Sequence, residues 1–145
     1  MKRIAVIIWG FSNSGKTTTI RHLVGVSKRL CNCNFKILNI QNTEIEVFVE
    51  GQSPSEKDQT LEELIHVYYK KDGLPNNIIV AEQINGKNAG STINFLIKNQ
   101  YKINFFVIQK PESYNKTHWD YNSKAIPSKI DLDKRIDDIR AVFSN

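Results

Sequence analysis

Three observations predict that this 145-residue chain folds as an α/β three-layer sandwich, with a mostly parallel sheet of about five strands and one antiparallel edge strand. Strand-sized apolar runs alternate along the chain with segments of helical period. Two strand-like runs, FKILNI (35–40) and EIEVFV (44–49), are separated only by Gln41, Asn42 and Thr43. A parallel crossover needs about a dozen residues, so these two must form an antiparallel hairpin, the first at a sheet edge and the second beside the first strand of the chain. The third observation is Gly10-Phe11-Ser12-Asn13-Ser14-Gly15-Lys16-Thr17, a glycine-bounded turn that directly follows a near-continuous apolar run, Ile4 to Ile8.

Each element has its own signal. The run 4–8 reads as a strand covered on both faces. The helix starting near Lys16 carries Ile20, Leu23, Val24, Ser27 and Leu30 on one side. After the hairpin, Ser53, Pro54 and Glu56 give a capping residue, a proline at the first helical position and an acid three residues after the cap. This predicts one helix from there to about Lys71, with Leu61, Leu64, Ile65 and Tyr68 inward and Gly73 and Pro75 beyond its end. IIVA (78–81) is a short buried strand, and the polar loop 82–90 leads to a helix over 91–99 with Ile93, Leu96 and Ile97 inward. INFFVI (103–108) is the last core strand. Residues 110–128 show no period but carry Tyr114, His118, Trp119 and Tyr121; a final helix over 131–143 turns Leu132, Ile136, Ile139 and Phe143 to the body.

Composition limits the rest. A 40% hydrophobic, 24% charged chain of this length supplies one core, so residues 1–145 are read as a single domain. The longest apolar stretches are far short of a bilayer span, which predicts a soluble cytoplasmic protein with no membrane partner. Cys31 and Cys33 have no second cysteine pair, and with only His22, His66 and His118 elsewhere they do not make a zinc site; they read as reduced thiols. The net charge of +5 suits polyanionic ligands.

The turn at 10–17 is the pattern G-x-x-x-x-G-K-[ST], and its setting between a buried strand and a helix is what a phosphate-binding loop requires. Backbone N–H groups and the helix N-terminus converge there on an anion. Here the chain resembles the P-loop NTPases. The resemblance implies a nucleoside triphosphate cradled by Gly10, Asn13, Ser14, Gly15, Lys16, Thr17 and Thr18, with Lys16 on the β and γ phosphates and the Thr17 hydroxyl on Mg²⁺.

The hairpin followed by further strand units is similar to the layout of the small GTPases, but their other motifs are degraded. Where that family has Asp-x-x-Gly, this chain has Gly51-Gln52, with Phe48 three residues before Gly51 and Glu50 the nearby carboxylate. Where it reads guanine with Asn/Thr-Lys-x-Asp, this chain has Gln109-Lys110-Pro111-Glu112, and the second echo, Asn115-Lys116, is followed by His118 in place of an acid. Cys31-Asn32-Cys33-Asn34 fills the gap where a metal-binding threonine would stand. ATP is therefore favoured over GTP. Over roughly residues 3–108 the chain also resembles compact bacterial P-loop proteins labelled ATP- or nucleotide-binding, with Gly90-Ser91-Thr92 matching their loop after the fourth strand.

Hydrolysis needs an oriented water and a supported metal. Glu50 and Glu82, each ending a predicted strand, are the candidates for the acid that supports Mg²⁺, Glu50 favoured because its strand is expected to flank the P-loop strand; Gln52 is the candidate for orienting water. The expected activity is slow Mg²⁺-dependent triphosphate hydrolysis. The alternatives are a nucleotide sensor that engages a protein partner through residues 110–128, and a kinase that holds an acceptor in the loop 82–91. Lys110, Lys116, Lys124 and Lys129 interleave with the rings of that segment, which also permits single-stranded nucleic acid. Arg135 and Arg140 are candidates for a lid over the site.

Overall fold

A computed structural model describes residues 2–10, 16–25, 33–51, 53–83, 86–108 and 129–144. The elements are β1 (Ile4–Gly10), α1 (Lys16–Val24), β2 (Cys33–Leu38), β3 (Glu44–Glu50), α2 (Pro54–Lys57), α3 (Leu61–Tyr68), β4 (Asn77–Gln83), α4 (Ala89–Lys98), β5 (Lys102–Ile108) and α5 (Lys129–Val142). The five strands form one sheet in the order β2-β3-β4-β1-β5. All neighbours are parallel except β2 and β3, which make the expected antiparallel hairpin with β2 at the edge.

One adjacency differs from expectation. β3 does not flank β1; β4 lies between them, pairing Ile4 with Asn77 through Gly10 with Gln83 on one side and Phe48 with Ile78 through Glu50 with Val80 on the other. The hairpin spacing fixes which strands run antiparallel, but it does not say which later strand inserts beside β1.

Alternation along the strands divides the apolar side chains between two faces. Val6, Ile8, Val47, Val49, Ile79 and Ala81 pack with Ile20 of α1 and with Ile139 and Phe143 at α5. Ala5, Ile7, Phe48, Ile78 and Val80 pack with Leu61 and Ile65 of α3 and Phe95 and Leu96 of α4. These are the three layers of the predicted sandwich. Burying each such side chain is worth about 1.5–3 kcal/mol, so these two clusters, rather than the exposed ion pairs such as Lys36–Glu44, hold the layers together.

The helix expected over 53–71 is two helices. Asp58 adopts a left-handed conformation (φ 56°), and Thr60 starts a new helix by accepting a hydrogen bond from the Glu63 amide at 3.2 Å. The sequence carries that signal as Thr60-Leu61-Glu62-Glu63, a capping box inside the segment. α1 stops at Val24, with Gly25 at φ +76°; Ser27 and Leu30 lie outside the described residues. In α4 the buried positions are Ala89, Thr92, Phe95 and Leu96, while Ile97 is 61% exposed, so the helix is rotated from the expected face. α5 follows its expected pattern, with Ile136, Ile139 and Phe143 buried.

The C-terminal ends of β1, β3, β4 and β5 share one edge of the sheet, and the β2–β3 turn lies at the other. α5 reaches that far edge: Arg140 donates to the carbonyls of Leu38 and Asn39, both at 2.8 Å, and the Asn39 side chain donates to the Phe143 carbonyl at 3.4 Å. Among the described residues no helix is long and apolar enough to cross a membrane.

At the far edge too, Tyr101 is buried, its hydroxyl donating to the Pro75 carbonyl and the Arg3 guanidinium lying 5.7 Å from its ring centre. Burial pushes the phenol up to about 12, against the opposing pull of Arg3. Because the folded value lies above the unfolded one, the linked stability is complete below about pH 10 and is lost as pH rises from there through about 12. Urea midpoints measured between pH 8 and 11.5 should fall at the alkaline end, and Tyr101→Phe should flatten that fall while lowering the neutral-pH midpoint.

Candidate functional site

The shared carboxyl edge is where open α/β sheets bind ligands, and the structure brings the ends of the phosphate-loop pattern together there. Gly10 closes β1 and Lys16 opens α1. The Lys16 Nζ, on a residue only 6% exposed, donates to the Gly10 carbonyl at 3.1 Å, so the side chain spans the two ends of the turn. Phe11, Ser12, Asn13, Ser14 and Gly15 lie outside the described residues. Thr18 faces solvent, and Thr19, one position on, is buried and accepts from Arg135 Nη1 at 2.9 Å.

Thr17 points elsewhere. Its hydroxyl donates to the Gly51 carbonyl at 3.1 Å, across the end of the intervening β4. Gly51 follows Glu50, which ends β3 and is fully buried. The Thr17 hydroxyl is thus joined to the residue that follows Glu50, although β4 separates β3 from β1; by alternation the Glu50 side chain itself lies on the face of Phe48, opposite the face that carries α1. Gln52 lies outside the described residues.

Glu82, the other candidate acid, lies inside β4 rather than in a loop after it, level with Trp9 of β1. It is fully buried. By alternation it shares the face of Ile78 and Val80, where α3 and α4 pack, opposite the face that carries α1. Its Oε1 accepts from Ser53 Oγ at 2.6 Å, Ser55 Oγ at 3.0 Å and the Gln83 amide at 3.1 Å; its Oε2 accepts from Thr92 Oγ1 at 2.8 Å. Four donors from β4, α4 and both ends of the α2 entry therefore converge on one carboxylate. The rotation of α4 noted above is what delivers Thr92 to it in place of an aliphatic side chain.

Further bonds extend this cluster. Ser53 Oγ also accepts from the Ser55 and Gln83 amides at 3.2 and 3.3 Å, and Ser55 Oγ accepts from the Asn88 amide at 2.9 Å. The Asn88 side chain donates to the Gln59 carbonyl at 2.7 Å. Gly86 has no room for a side chain, because a Cβ there would collide with Ser55. Sequence reading found Ser53 as a helix cap and Thr92 as a loop residue, but missed both as partners of Glu82. The separations of 29 and 10 residues hide the pairing, and the only local hint is two serines at alternate positions of a helix entry.

The remaining candidates separate. Arg140 is bound at the far edge of the sheet, away from the phosphate-loop ends, so it cannot act as a lid there. Arg135 is held against α1 at Thr19, and His22 of α1 lies 3.4 Å from Asp133 on the surface. Residues 110–128, with the expected partner surface and the Lys110–Glu112 and Asn115–Lys116 echoes, lie outside the described residues. Among the described residues no group of three or more His, Cys, Asp or Glu gathers as a metal centre. No family model matches the chain, and no curated protein or solved structure gives a significant match.

Proposed function

We propose that this protein binds a nucleoside triphosphate with Mg²⁺ through a P-loop and hydrolyses it slowly, ATP in preference to GTP. The observation that carries the reading is the buried Lys16 ammonium drawn back to the end of β1, at the head of a helix that follows a glycine-bounded turn. A polyphosphate tail seated at the head of that helix would meet this ammonium as a charge-assisted partner.

The donor set suits Mg²⁺. Thr17 Oγ1 and the carboxylate of Glu50, the residue before the Gly51 that accepts from Thr17, are hard oxygens, the kind of ligand that Mg²⁺ selects. When bound, the ion would supply positive charge against the negative charge that develops on the γ phosphate. The chain's own part is to hold the γ phosphate with Lys16, to offer the Thr17 hydroxyl, and to supply the Glu50 carboxyl group beside Gly51. Of the two acids, Glu50 is taken for the metal side because it adjoins Gly51 in the chain, whose carbonyl accepts from Thr17. Gln52, next to Gly51, remains the residue for orienting water.

The second reading is a sensor that binds the same ligand without appreciable turnover and signals through residues 110–128. It is favoured by the absence of the Asp-x-x-Gly acid, since Phe48 stands at that position and is buried in the core. Isothermal titration with ATP and GTP in Mg²⁺, followed by phosphate release from the same samples, tests both. Heat with ATP and slow release supports the triphosphatase, heat without release supports the sensor, and no heat with either nucleotide overturns both.

A further inference from the structure

A hydroxyl that ligates a metal gives the ion a lone pair and must send its proton to another acceptor. In this protein that acceptor is a main-chain carbonyl, Gly51 O, at 3.1 Å from Thr17 Oγ1. A carbonyl at the end of a strand is aimed only as well as the chain around it is held. Two positions on, Ser53 is 1% exposed, and its hydroxyl donates to the fully buried Glu82 at 2.6 Å, the shortest of that carboxylate's four bonds. Ser55 and Thr92 in turn fix Glu82 from α2 and α4.

Resting on the P-loop reading above, we propose that Glu82 is a positioning residue for the metal side of the site: through Ser53 it holds the Gly51 carbonyl where it takes the Thr17 proton and turns that hydroxyl's lone pairs toward Mg²⁺. The acid at the end of β4 thus acts on the metal without touching it. The same linkage ties the metal side to the entry of α2 and the start of α4, the elements bordering the loop 82–91. It also explains why a strand that ends in an acid should bury that acid on the face opposite α1.

The test is the Mg²⁺ dependence of nucleotide affinity. Binding of a non-hydrolysable ATP analogue is measured by calorimetry with Mg²⁺ and with a chelator, for the wild type, Ser53→Ala, Ser53→Thr, Glu82→Gln and Thr60→Ala. Thr60→Ala removes the neighbouring helix cap with no contact to Gly51, and so measures what mere loss of a cap does. Ser53→Ala should lower the Mg²⁺-bound affinity about tenfold, as expected when one well-placed hydrogen bond is lost, and leave the metal-free affinity within about twofold; Glu82→Gln, which keeps one acceptor oxygen for Ser53, should lower the Mg²⁺-bound affinity less. Ser53→Thr should restore the wild-type ratio, and Thr60→Ala should leave it unchanged. An equal fall in both affinities for Ser53→Ala, a ratio that Ser53→Ala does not change, or the same loss for Thr60→Ala would overturn the proposal while leaving nucleotide binding intact. A wild type that binds the analogue under neither condition would overturn the P-loop reading and this inference with it.

Discussion

Replacing Lys16 with alanine should weaken Mg²⁺–ATP binding by about 100-fold or more, equivalent to about 2.7 kcal/mol. The loss combines a charge-assisted hydrogen bond with the withdrawal of a cation from a site where little water competes. Lys16 is nearly buried and donates to the Gly10 carbonyl, so the substitution also shows whether that contact matters to the fold. Its stability cost should be about 1 kcal/mol, the loss of one hydrogen bond to the carbonyl of the buried Gly10. Calorimetry with ATP, paired with a urea titration of the free protein, separates the two effects. Equal affinities for wild type and Lys16→Ala would remove the lysine, and with it the phosphate cradle, from the account.

Glu82→Ala should destabilise the free protein by about 3 kcal/mol, seen as a lower urea midpoint with an unchanged slope. The three hydroxyls of Ser53, Ser55 and Thr92 and the Gln83 amide would lose their common acceptor in a site closed to water. Glu82→Gln keeps one acceptor oxygen and should cost less than half as much. The sign of the effect discriminates between roles. A carboxylate kept for a metal repels its surroundings in the free protein, so its removal commonly stabilises the fold. A structural acceptor does the reverse. A higher midpoint for Glu82→Ala would reassign this residue to the metal and exclude the positioning role.

Much of the fold was legible because it rests on local rules. The apolar runs gave the strands, the three-residue gap gave the hairpin, and the position of glycine-bounded turns gave the order of elements. What misled was non-local. Nothing near residues 78–81 says that this strand inserts between β1 and β3, and that insertion makes Glu82 rather than Glu50 the neighbour of β1. In α4 the period of Ile93, Leu96 and Ile97 pointed to one face, but the buried carboxylate of Glu82 draws Thr92 inward and leaves Ile97 in solvent. The break at Asp58 was written in the Thr60–Glu63 capping box, yet the start signal at Ser53 and Pro54 was strong enough to hide it. At the site, the phosphate-loop residues could be named from the pattern, whereas the Glu82 cluster joins four segments that only the folded chain brings together.

Because β4 and β5 are the two lateral partners of β1, that strand stays unpaired until segments far along the chain have been made. Its five consecutive aliphatic residues must wait for about seventy more to be translated, exposed throughout to association with other nascent chains. The interval between synthesis of β1 and synthesis of β4 is therefore the vulnerable one. A fragment ending before Asn77 should be recovered aggregated, and one extended through Ile108 should be the first to stay in solution.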